Sequence, residues 1–135
     1  MGALVVYGLW PERQGPTLAW SDLSAQVGPL TITRETKRAF REPRPLAEYL
    51  TAAGGRVPAV DFQRRQLLLV SSGPRSSPGY SMEVLEVRVR DGAVTVTVRE
   101  RTPGLGEQVE PRVTFPFRLV SLPAGQDVYV DWLDR

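Results

Sequence analysis

The side chains that most often move protons near neutral pH, imidazole and thiol, are both missing from this chain, which has no His and no Cys. Chemistry would fall to carboxylates, serines or Lys37, the only lysine. Two carboxylate groupings stand out. Glu107 and Glu110 sit in a Gly- and Pro-rich stretch, and Asp127, Asp131 and Asp134 accompany the last apolar segment. An acid and base pair works only where burial or a fixed partner drives the two pKa values apart. A Gly/Pro loop holds such geometry poorly and the Asp group alternates outward, so both groupings read as solvated acids. Ser71, Ser72, Ser76, Ser77 and Ser81 crowd together, yet no histidine exists to take a hydroxyl proton, and Lys37 is remote in sequence. For metals only oxygen ligands remain, and the Asp spacing lacks the twelve-residue calcium loop with its central glycine. The expectation is a protein that is not an enzyme and carries no metal or cofactor.

With 135 residues, 41% of them hydrophobic, the chain suffices for one core of ordinary size, and 12 Gly with 12 Pro point to many short elements joined by turns. A single domain is expected over residues 1–135. Seventeen basic residues against fifteen acidic ones leave a formal charge of +2, too small for a strong positive field. Arg34, Lys37, Arg38, Arg41 and Arg44 cluster, but Glu35 and Glu42 interrupt them and few aromatics are interleaved to stack on bases. That run reads as a solvated face, with no nucleic-acid partner. Met1 to Trp10 lacks a basic leader region and is broken by Gly8 and Pro11, so it reads as neither signal peptide nor membrane span. A natural start at Met1 implies the cytoplasm; a leader removed upstream implies export or the cell envelope. Oligomeric state leaves no mark in the sequence.

The positioning elements follow from periodicity. Leu4–Trp10 and Thr17–Trp20 read as strands, Ser21 and Asp22 as caps of one or two helical turns through Ala25, and Leu30–Thr33 as a brief strand. Leu46, Tyr49, Leu50 and Ala53 share one helical face, which predicts a helix from Pro45 to Ala53 stopped by Gly54-Gly55. The run Leu67–Val70 predicts a central strand covered on both faces. Alternation in Tyr80, Met82 and Val84 changes phase to Leu85, Val87 and Val89, which predicts a β-bulge near Val84-Leu85. Asp91-Gly92 predicts a tight hairpin with Val94, Val96 and Val98 returning on one face. Val113, Phe115, Phe117 and Leu119 alternate as an inward face, Pro116 belongs at an edge or bulge, and Asp127–Trp132 is a last strand. Trp10, Trp20 and Trp132 read as core. The fold class expected is mainly β: a two-layer antiparallel β-sandwich, immunoglobulin-like, with one short α-helix.

Val60-Asp61-Phe62, the strand Leu67–Val70, the loop from Gly73-Pro74 to Gly79-Tyr80, the hairpin strands, and Phe115-Pro116-Phe117-Arg118-Leu119-Val120 ending at Pro123 together resemble the C-terminal domain of the protease complex subunit PrcB family, over residues 60–123. The resemblance implies a small bacterial β-domain, often exported, that serves as an accessory subunit of a protease complex. It implies no catalytic residues. Pro78 stands where a second glycine is expected, and Ser76-Ser77 where a threonine is more usual.

A weaker resemblance is to the chagasin-like inhibitors of papain-type cysteine proteases, which present three loops in chain order on an immunoglobulin-like sandwich. Pro74 to Tyr80, Gly104-Leu105-Gly106 and Phe115-Pro116-Phe117 occur here in similar order, with Phe115 in place of an arginine. Both resemblances imply a protein partner, with a protease as the candidate, met by loops 73–80 and 102–111. The expected contact residues are Pro74, Ser76, Ser77, Pro78, Gly79, Tyr80, Gly104, Leu105, Gly106, Pro116 and Phe117. Tyr80, Leu105 and Phe117 would supply the apolar anchors that dominate interface energy.

Overall fold

Two sheets pack face to face in the computed structural model, which describes residues 19–134. The element order is β1 (Ser21–Asp22), α1 (Ser24–Val27), β2 (Thr36–Phe40), α2 (Pro43–Ala52), β3 (Arg65–Ser71), β4 (Ser81–Arg90), β5 (Ala93–Arg101), β6 (Phe117–Pro123) and β7 (Asp127–Trp132). One sheet has the order β1-β6-β3-β2 and the other β4-β5-β7. The protein is thus mainly β with a sandwich architecture, as its alternating apolar pattern predicts.

The run Leu67–Val70 explains the layering. Successive side chains of a strand point to opposite faces, so four apolar residues in a row demand cover on both sides. Leu67 and Leu69 enter one core with Val27, Phe40, Leu46 and Leu50. Leu68 and Val70 enter a second core with Met82, Val94, Val96 and Val98. The four-stranded sheet is therefore a middle layer, with helices on one face and the three-stranded sheet on the other. Gln66 is polar and yet 1% exposed. Its amide nitrogen donates to the carbonyls of Pro123 (3.1 Å) and Gln126 (3.0 Å), and its oxygen accepts from Arg41 Nε (3.1 Å). A buried amide satisfied in this way costs little.

The predicted helix forms two residues earlier than its apolar face suggests, because Pro43 takes the first position, with Pro45 still inside the first turn. Leu46 and Leu50 are buried as expected. At its end Gly54 (φ 87°) donates to Thr51 O and Gly55 to Leu50 O, the paired bonds that close a helix on a left-handed residue. The hairpin turn has Asp91 at φ 55° and Gly92 at φ 78°, and the predicted bulge falls between Val84 and Glu86. Val94, Val96 and Val98 are all wholly buried.

Four expectations are corrected. Ser21 and Asp22 pair with Ser121 and Val120 as a short strand, and the helical turns start later, at Ser24, so there are two short helices among the described residues rather than one. Asp22 still acts near that start, its Oδ1 accepting from Ser24 N at 2.9 Å. Leu30 and Ile32 are buried but lie in an irregular connection. The strand instead forms over Thr36–Phe40, inside the basic run, because β3 supplies a backbone edge that a polar sequence can pair with. Val113 is 61% exposed and the ladder of β6 begins only at Phe117, so the inward face predicted from Val113 starts four residues late. Finally, β7 runs parallel to β5, from Ala93 opposite Asp127 to Val98 opposite Trp132, where the expectation was antiparallel throughout. Trp20 and Trp132 pack against the second core as predicted. The strand expected at Leu4–Trp10, and most of that at Thr17–Trp20, lie outside the described residues; Ala19 and Trp20 carry no strand.

Candidate functional site

The loop leaving β3 is pinned at several points along its length. Gly73 turns with φ 79°, and a Cβ there would lie 3.0 Å from the backbone of Arg34 and Glu35, so the turn needs glycine both for its angle and for its space. Ser71 Oγ accepts from Gly73 N at 3.0 Å and donates to Pro116 O at 2.8 Å. Arg75 and Thr114 exchange both backbone hydrogen bonds, at 2.8 and 2.9 Å. Thr114 Oγ1 donates to Ser77 O at 2.8 Å, and Ser77 Oγ accepts from Gly79 N at 3.2 Å. The guanidinium of Arg75 then reaches Glu100 on β5 through two bonds of 2.7 and 2.9 Å. Those bonds, made by groups with only 28% and 12% of their side chains exposed, hold the Arg75 charge firmly and raise its pKa.

The second loop packs on the first. A Cβ at Gly79 would come within 2.7 Å of Pro103 Cγ and 2.8 Å of Val109 Cγ1, so the close approach of the two loops depends on hydrogen at that position. Arg101 Nη1 donates to Gly79 O at 3.2 Å and so ties β5 to the same point. Within the second loop Glu107 Oε1 accepts from Gly104 N at 2.9 Å, which holds its carboxyl below the usual glutamate range, with Arg101 adding to the effect. Leu105, at the tip, is wholly exposed.

Beside these loops lies a largely apolar groove of about 330 Å³, lined by Pro78, Tyr80, Val113, Phe115, Pro116 and Phe117 among others. The guanidinium of Arg75 lies 5.9 Å from the Tyr80 ring centroid. Segments from three parts of the chain meet here: Pro29-Leu30, the loop after β3, and the end of the β5–β6 connection from Arg112 to Phe117. A stiff, partly apolar surface of this kind can hold a partner through shape.

The eleven expected contact residues divide into three groups. Pro78, Tyr80, Pro116 and Phe117 line the groove. Pro74, Ser76, Gly104, Leu105 and Gly106 are exposed on the loops. Ser77 and Gly79 are buried, which corrects their placement: they hold the loop in shape and present no surface. Val113 was missed as a surface residue because its alternation with Phe115 and Phe117 imitates an inward face. Phe117 serves both roles, packing against the first core while lining the groove.

The reactive candidates separate. Glu107 is engaged with Gly104 and Arg101, and Glu110 pairs with Arg112 at 2.7 Å. Asp127, Asp131 and Asp134 are all exposed. Lys37 Nζ sits 5.8 Å above the Trp132 ring, while the hydroxyls of Ser71 and Ser77 are occupied by backbone groups. Among the described residues no cluster of three or more acidic side chains could hold a metal ion, and no helix is long and apolar enough to cross a membrane.

Residues 67–123 match the family model described as PrcB C-terminal. The match runs from β3 to the end of β6 and contains both loops, every expected contact residue and the Arg75–Glu100 pair; Val60-Asp61-Phe62 falls before it. No curated protein and no solved structure matches the chain significantly.

Proposed function

With residues 67–123 identified as a PrcB C-terminal region, we propose that the protein is a non-enzymatic binding module, an accessory or regulatory subunit that meets a protease complex through loops 73–80 and 102–111 and the groove beside them. The observation that carries this reading is the joint at Gly79, where the two loops pack together while Arg75–Glu100 ties the first of them to β5, with Tyr80, Phe117 and Leu105 available to a partner. A rigid surface loses little conformational entropy on binding, so a few apolar anchors suffice for useful affinity. Chemistry finds less support: the carboxylates at the surface are paired with arginines or open to solvent, and the hydroxyls of Ser71, Ser72 and Ser77 are held by backbone groups.

The test is affinity capture from the native host with wild type and with a Tyr80→Ala, Leu105→Asp variant whose circular dichroism matches wild type. Capture of a protease subunit by wild type and its loss in the variant are the expected results. A partner list unchanged by the variant would assign binding to another surface.

A second reading, a chagasin-like inhibitor of papain-type proteases, is favoured by the position of the Pro74–Tyr80 loop, which meets Pro103 and Val109 of the second loop at Gly79 and lines one groove with Phe115–Phe117. It predicts tight inhibition of at least one enzyme in a small panel of such proteases. An inactive panel removes it.

A further inference from the structure

A different surface lies at the margin of the four-stranded sheet. There β3 pairs with strand β2 on one side, and among the described residues no strand pairs with it on the other. Such an edge presents backbone N–H and C=O groups at alternate residues, a template for one more strand. Its side chains divide by register. Thr36, Arg38 and Phe40 stand opposite Ser71, Leu69 and Leu67 on the helix side, while Lys37 and Ala39 take the other face.

Alongside the edge runs an open groove of about 550 Å³ between β2, the connection over 31–35 and the last turns of α2. Arg34 and Arg38 line it against the single carboxylate Glu35; Lys37 borders it too, but its ammonium lies over Trp132 on the opposite face. The Arg38 guanidinium lies 4.6 Å from the Phe40 ring centroid and 5.5 Å from that of Tyr49. Contact with two rings orders that cation before any ligand arrives. No carboxylate of the described residues forms an ion pair with Arg38 or Lys37.

We propose that β2 accepts an extended acidic segment of a protein partner as an added strand, with alternate carboxylates directed at Arg38 and Arg34 in the groove. Backbone hydrogen bonds would give the register and the ordered cations the preference for acid. The charge that invites an acidic strand disfavours the other occupants. Two copies paired through β2 would set like charges opposite one another, which destabilises a ladder. Nucleic acid would need open ring faces to stack on, and Arg38 already lies over both rings. A charged edge also guards against aggregation, which accounts for Lys37 but not for an ordered arginine beside a groove. This inference does not depend on the loop surface.

The probe is a fluorescein-labelled ten-residue peptide of alternating Glu and Thr, followed by anisotropy and by amide exchange across Thr36–Phe40. Saturable binding with slowed exchange in that segment is expected. Replacing Glu by Lys in the peptide, or Arg38→Glu or Arg34→Glu in the folded protein, should weaken binding at least tenfold. N-methylation of alternate peptide amides, made in both registers, should abolish binding in one of them. The Tyr80→Ala, Leu105→Asp variant should bind the peptide as wild type does, so failure here and failure of the loop reading are separable. Absence of saturable binding, or equal binding by both N-methylated peptides, overturns the proposal. So does equal binding by a ten-residue oligo(dT), which would make the face a nucleic-acid surface. Concentration-dependent protection of Thr36–Phe40 without peptide would likewise assign the edge to a second copy of the chain.

Discussion

Arg75 ties several parts of the candidate surface together. It bridges backbone to Thr114, pairs twice with Glu100 and lies under Tyr80, so one residue joins the first loop, β5 and the groove. Hydrogen bonds to charged groups contribute about 1.5–3 kcal/mol each when well made. Partial exposure of the guanidinium places the pair toward the lower end, because solvent competes for its outer face. Arg75→Ala is expected to lower the unfolding free energy by about 2 kcal/mol, measured by urea denaturation, and to speed amide exchange over residues 74–80. Arg75→Lys should recover only part of the loss, since an ammonium cannot make the same paired hydrogen bonds. The sequence names Arg75 only as one arginine among many. Its partner lies 25 positions away on a strand whose register no local pattern supplies.

Among the elements, the two loops act as one body because Gly79 has no side chain. Its missing Cβ would lie 2.7 Å from a proline ring and 2.8 Å from a valine methyl, and neither of those groups can swing away freely. Overpacking of this kind costs about 1–3 kcal/mol. Gly79→Ala should therefore destabilise the fold by about that amount and open the joint, which faster amide exchange at Gly104 and Val109 would report. A variant as stable as wild type, with unchanged exchange, would mean that the loops are held by other contacts. The elements legible in the sequence are those whose pattern is local: the Asp91-Gly92 turn, the Val84 bulge and the amphipathic face of α2 each depend on residues a few positions apart. Thr36–Phe40 is not legible, because its basic composition hides a strand that exists only where β3 offers it an edge, and Val113 misleads, because no sheet receives its alternation.

At the scale of the whole molecule, the middle sheet divides the interior into two cores, and β3 feeds both. Removing a buried leucine side chain typically costs about 2–5 kcal/mol. Leu68→Ala and Leu69→Ala should each fall in that range although the two residues face opposite ways, and thermal or chemical unfolding measures both. A sandwich covered on one side only would leave one of the two substitutions nearly silent. The run Leu67–Val70 alone determined that this strand lies inside the molecule, since four apolar side chains in sequence leave no face for water. The absence of His and Cys was likewise decided at that level and narrowed the chemistry open to the chain. Which strands flank β3, the parallel run of β7 beside β5, and the meeting of Gly79 with Pro103 and Val109 were settled only in three dimensions. Each joins segments far apart in the chain, and the free energy that selects among such pairings comes from the fit of whole faces, which no short stretch of sequence contains.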